Sequence, residues 1–90
     1  MKYRKRPVVI EAERAGALIL NARDNWRALP KWFSDAYEKG DVVIFPKGIT
    51  LRTLEGTMTA GFDDMVICGV QGELYPCKPD IFAATYEAAE

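Results

Sequence analysis

The chain has no histidine among its 90 residues and only two cysteines. Without an imidazole, Ser-His-Asp and Cys-His nucleophile systems, histidine general bases and every His-containing zinc site are excluded. Two cysteines cannot complete a four-cysteine metal site, and nothing in the sequence asks for a metal or a cofactor. No apolar run approaches the roughly 20 residues of a membrane span. The cationic start leads into Pro7 and a short Val8-Val9-Ile10 run that Glu11 and Glu13 end at once. A signal peptide and membrane association are therefore not expected, and the expected setting is the cytoplasm, where thiols stay reduced. Cys68, among Met65, Val66, Ile67 and Val70, reads as a small buried apolar residue. Cys77, next to Lys78, is the more exposed thiol and the candidate for a lowered pKa.

What is present is ordinary globular composition, 49% apolar and 28% charged, enough for one domain over residues 1–90 with an ordered core over about 3–87. The net charge is −1, unevenly spread: residues 1–45 carry nine Lys/Arg against six Asp/Glu, and residues 46–90 three against seven, or +3 and −4. The basic excess sits in Lys2, Arg4, Lys5 and Arg6. Such a cluster reads either as a solvated strand edge that discourages edge pairing or as an anion or nucleic-acid contact.

Periodicity predicts an α+β chain. Residues 3–14 read as a strand, with Val8, Ile10 and Ala12 on one face and Glu11 and Glu13 on the other. Gly16 to Asn21 reads as a connector. Asp24 to Lys39 reads as helical, capped by Asp24 or Asn25, with Trp26, Leu29, Phe33 and Tyr37 at three- and four-residue steps. Pro30 splits it into a first turn ending near Leu29 and a second helix, which Gly40 ends. Then come strands at Val42 to Phe45, Ile49 to Leu54, Thr57 to Ala60, Met65 to Val70 and Glu73 to Cys77. Turns at Pro46-Lys47-Gly48, Glu55-Gly56, Gly61 to Asp64 and Gln71-Gly72 join them. Asp80 is placed to cap a short last helix from Ile81 to about Thr85. The expected architecture is an antiparallel meander of about six short strands curled into a small, partly open barrel.

Three stretches carry further information: Thr53-Leu54-Glu55-Gly56-Thr57-Met58-Thr59-Ala60, the run from Ile67 through Gly69-Val70-Gln71-Gly72-Glu73-Leu74-Tyr75-Pro76-Cys77-Lys78-Pro79-Asp80-Ile81-Phe82, and Thr85-Tyr86-Glu87. With Tyr3-Arg4-Lys5-Arg6-Pro7-Val8-Val9-Ile10-Glu11-Ala12 and Leu29-Pro30-Lys31-Trp32, they resemble the PGDYG-type family of small phage and prophage proteins over nearly the whole chain. At the turn that names that family, Phe62-Asp63-Asp64-Met65 stands here, and only Asp64 matches. The resemblance implies a phage or prophage origin and an accessory role, such as sequestering a host signal in anti-defence, capping a host enzyme or decorating a phage component. It supplies no catalytic or ligand residues.

The chemistry of candidate sites must come from the residues themselves. Glu55 and Glu73 each flank a hairpin glycine and would form a carboxylate pair if both turns lie at one end of the sheet. Asp63-Asp64 is a second acidic pair, at a turn where Asp commonly bonds its own backbone. Tyr75-Pro76-Cys77-Lys78-Pro79-Asp80 is a stiff corner, either docking the last helix or offering Lys78 as a charge and Tyr75 as a stacking platform. Trp26 and Trp32, six residues apart, cannot both face one core on a continuous helix, so one is expected to be exposed.

These observations describe a non-enzymatic protein that captures an anionic or nucleotide-like small molecule. Arg4, Arg6 and Lys78 would supply charge, Trp32 or Tyr75 a stacking face, and Glu55 and Glu73 a carboxylate pair. Lys5, on the opposite face of the first strand, would be a solvated control. The alternative is a module that binds a host or phage protein through the helix face and the first strand. Nucleic acid is not the expected partner, and residues 3–12 could also pair across a two-fold axis in a homodimer.

Overall fold

A computed structural model describes residues 1–4 and 7–89. Its elements are β1 (Glu11–Arg14), α1 (Ala15–Asp24), a 3₁₀ turn (Trp26–Ala28), α2 (Lys31–Glu38), β2 (Val42–Phe45), β3 (Gly48–Thr53), β4 (Gly56–Gly61), β5 (Met65–Cys68), β6 (Leu74–Cys77) and α3 (Pro79–Thr85). The α+β class holds. The strands form two antiparallel three-stranded sheets, ordered β1-β5-β6 and β2-β3-β4, and not one meander curled into a barrel. The break falls at the Gly61 to Asp64 turn. Asp64 Oδ2 accepts from the Gly61 N–H at 2.8 Å. The Phe62 and Asp64 carbonyls accept from Gly16 N and Ala15 N, both at 2.8 Å. The turn is thereby fastened to the β1–α1 junction, and β5 leaves it to pair with β1 instead of β4.

Those two bonds also explain α1, which stands where a connector was expected. A helix start leaves its first N–H groups without intrahelical partners, and Ser, Thr, Asp or Asn usually supplies one. Here Arg14 is the N-cap and makes no side-chain cap bond. Carbonyls some fifty residues away serve instead, so no local capping signal exists. The buried face of α1 is Ala15, Leu18 and Ile19, with Ala22 packed against the core.

Further differences from expectation have local causes. The first strand covers only Glu11–Arg14, because its partner β5 ends at Cys68, opposite Glu11, and Gly69 turns away to bond the Glu73 carbonyl. Asp24 closes α1 and does not cap the next helix, while Asn25 makes no side-chain cap bond. Pro30 is the N-cap of α2, whose end is a Schellman closure: Gly40 N and Asp41 N donate to the Tyr37 and Ala36 carbonyls, with Gly40 at φ +81°. Asp80 lies in the first turn of α3, and Lys78 is the N-cap, because Pro79 suits the first helical position.

The core lies between the two sheets, under α1 and α2. Val42, Ile49, Leu51 and Ala60 come from the second sheet, and Val66, Cys68 and Leu74 from the first. Leu18, Leu29, Phe33 and Ala36 fill the space on the helical side. Strand β6 packs against β3 and β4 and joins the sheets. Ile67, buried but outside this cluster, lies on the opposite face of β5 with its register partners Ala12 and Tyr75.

Candidate functional site

The residues expected to hold an anion are not assembled into one site. Arg4 is exposed and lines none of the five main grooves. Arg6 and Lys5 lie outside the described residues. Lys78 is committed elsewhere: its Nζ donates to Asp64 Oδ2 at 3.2 Å and Oδ1 at 3.4 Å. Asp64 is 6% exposed and also holds the Gly61 N–H, so this corner ties the β6–α3 loop to the turn that fastens α1. Asp64 is thus a structural clasp.

Glu55, Glu73 and Tyr75 line one groove of about 390 Å³ with Val8, Val70 and Tyr86. Glu73 Oε1 accepts from Gln71 N at 3.2 Å. Its carboxylate lies over Gly69 so closely that a Cβ there would overlap it. Glu55 sits in the two-residue turn after Thr53, where its N–H meets Thr53 Oγ1 at 3.1 Å. The Glu73 carboxylate thus belongs to its own turn, Glu55 is held in its turn through its main-chain N–H, and the Asp63 main-chain carbonyl accepts from Arg14 Nη1. Tyr75 is held neutral by burial and then by its hydrogen bond with Tyr86, with its pKa pushed up to about 12. Burial first, then Asp64 and Asp80, pushes the Cys77 thiol up, which removes it as an activated nucleophile; Cys68 is raised chiefly by burial. Among the described residues, no three Cys, Asp or Glu side chains gather to hold a metal ion, and no helix is long and apolar enough to cross a membrane.

Trp32 is half-buried, edge-on to Phe33 with ring centres 6.2 Å apart. It lines a second groove of about 440 Å³ with Glu73, Asp35, Lys39, Asp41 and Arg52. Charges of both signs alternate around this groove, and Arg52 Nη1 already faces Asp41 Oδ1 at 3.8 Å.

The largest of these grooves among the described residues, about 760 Å³, uses none of the residues expected to hold a ligand. Its floor is β2 from Val42 through Phe45, and its walls are Ile19, Leu20 and Ala22 of α1 with Trp26 and Tyr37. Trp26 and Tyr37 meet edge to face, centroids 5.2 Å apart at 74°. Among the described residues Arg23 is the only charged one lining it, and both its Nε and Nη2 donate to Asp24 at 2.9 Å. Leu20, Trp26, Tyr37, Val43 and Phe45 are each 41–51% exposed. Single exposed apolar residues are ordinary, but a contiguous group of aromatic and branched side chains marks an interaction surface. β2 is also an edge strand, hydrogen-bonded to β3 on one side only. Sequence reasoning took Val42 to Phe45 for an ordinary short strand. Four apolar residues in a row with no charge lack the usual edge protection, but the same run equally fits a strand buried on both faces.

No family model, curated protein or solved structure matches the chain.

Proposed function

We propose that the chain is a non-enzymatic protein-interaction module, an accessory protein of the kind phage and prophage genomes encode, which recognises its partner through β2 and the adjoining groove. The observation that carries this reading is the coincidence of an unpaired strand edge with the largest groove, lined almost wholly by apolar side chains. Strand addition supplies affinity through main-chain hydrogen bonds and specificity through side-chain pockets, and the β2 edge beside the Leu20, Trp26 and Tyr37 wall offers both.

The test compares immobilised wild-type protein with Phe45→Lys on extracts of phage-infected cells. A partner retained by the wild type and lost by the variant supports the reading. Retention by both, with the variant folded, overturns it.

A second reading, capture of a nucleotide-like anion, draws on the Trp32 groove, where Lys39 and Arg52 stand near a half-buried indole. It requires Arg52 to leave Asp41. Calorimetric titration with nucleotides, wild type against Trp32→Ala, tests it, and absence of heat with the wild type removes it.

A further inference from the structure

Resting on the reading of β2 as a docking edge, we propose that its occupant is a second copy of this chain, paired antiparallel through β2 about a two-fold axis at Ile44.

The phase of the β2 ladder sets the register. Arg52 N donates to the Asp41 carbonyl at 2.8 Å, so that carbonyl points toward β3, while the Asp41 N–H closes α2 on the Ala36 carbonyl. By strand alternation the main-chain groups of Val43 and Phe45 also face β3, leaving the groups of Val42 and Ile44 pointing outward, unpaired. An antiparallel neighbour can bond only those. With the axis at Ile44, the two Ile44 residues exchange both hydrogen bonds, and each Val42 N–H meets the partner's Pro46 carbonyl. Pro46, having no N–H, ends the ladder there.

Side chains agree with this register. Val43 falls opposite the partner's Phe45, an aromatic and β-branched pair of the kind that stabilises sheets. Asp41 falls opposite the partner's Lys47, and Lys47 is exposed and makes no ion pair among the described residues. Shifting the axis to Val43 would set Asp41 against the partner's Phe45 and leave Lys47 without a counter-charge. The exposed parts of Leu20, Trp26, Tyr37, Val43 and Phe45 amount to roughly 500 Å², taking aromatic side chains at about 150–250 Å² each. The outer edge of the β2 backbone with Pro46 and Lys47 brings this toward the roughly 800 Å² per partner of a standard interface. The product is one continuous sheet, with the two β2 strands at its centre.

Sedimentation of the full chain at micromolar concentration reads the result. Wild type is expected at twice 10.1 kDa, and Phe45→Lys as a folded monomer, its association weakened at least ~30-fold. Lys47→Glu is expected to weaken association by up to about fivefold, with the loss shrinking at high salt. Ile44→Cys tests the register, because directly opposed residues with Cα atoms about 5.5 Å apart can bridge. It is expected to form a disulfide-linked dimer under mild oxidation where Val43→Cys does not. Efficient bridging by Val43→Cys alone overturns the Ile44 axis. A monomeric wild type overturns self-pairing, and if a foreign partner is still lost on Phe45→Lys, the docking edge itself stands. A dimer untouched by Phe45→Lys overturns the β2 interface.

Discussion

The two sheets guard their edges in opposite ways. The first ends at β1 with Glu11, Glu13 and Arg14 exposed along it, and at β6 with Pro76 in the strand. Charge and proline are the common protections against unwanted strand addition. The second sheet ends at β4 in threonine and glycine, and at β2 in Val42-Val43-Ile44-Phe45 with no charge. Both edges of the first sheet carry protection, and the apolar edge beside a groove does not. This contrast separates a surface kept from contact and a surface available for it.

If the contrast is sound, stability resides where the sheets meet and is nearly indifferent to β2's outer face. The largest loss is expected for Phe33→Ala, which empties a fully buried site and costs about 3–5 kcal/mol by urea denaturation. A cost below about 1 kcal/mol would mean that the two sheets do not share one core. Next is the clasp that fastens the first sheet to α1. Asp64→Ala leaves the Gly61 N–H unpaired and is expected to cost about 1–3 kcal/mol. Lys78→Ala, whose side chain is 68% exposed, is expected to cost no more than about 1 kcal/mol. Equal costs for the two would show that the ion pair, not the capped turn, holds the corner.

Tyr75, on β6, gives a pH signature of the guarded side. Its pKa is raised from 10.0 to about 12 in the folded chain, so the fold favours the neutral phenol. That contribution to stability is fully present below pH 10 and is lost as pH rises through about 12. Ultraviolet titration of wild type against Tyr75→Phe should remove the phenolate transition near pH 12, and its persistence would assign the transition to another tyrosine. The smallest effect sharpens the contrast most. Val43→Lys is expected to leave stability within about 0.5 kcal/mol of wild type when both are compared at a concentration low enough to be monomeric. A larger loss would place Val43 in the folding core and withdraw β2 as a free surface.

Much of this fold was legible in the sequence because its signals are local. Strands β2 to β6 and their turns follow from short apolar runs punctuated by Gly and Pro, and Gly40 stops α2 as its position suggests. Trp26 is exposed while Trp32 leans on the core, as expected of one of the two, although they sit on separate elements either side of Pro30 and not on one continuous helix. What escaped is held by distant partners. α1 lacks a cap residue because residues 62 and 64 serve it, and β1 is short because β5 runs out. The candidate site was less legible still. Arg4 and Lys78 bear the right charge, yet nothing in their spacing reveals that Asp64 occupies Lys78. The β2 edge could be read as a strand but not as exposed, since composition alone does not distinguish a buried apolar run from an uncovered one.

The distant capping of α1 also sets the order in which the molecule can assemble. Closing residues 15 and 16 onto residues 62 and 64 requires a loop of nearly fifty residues, a large entropic cost early in folding. The β2–β3 and β3–β4 hairpins close over two-residue turns and form without waiting for it. A ten-residue helix is marginal in water by itself. Its contacts should therefore appear after the rate-limiting step, with φ-values near zero for Leu18→Ala and high values in β3. Until α1 docks, the wall of the groove is missing and β2 stands open on two sides, so the nascent chain is most adhesive at the same apolar surface that the finished one leaves exposed.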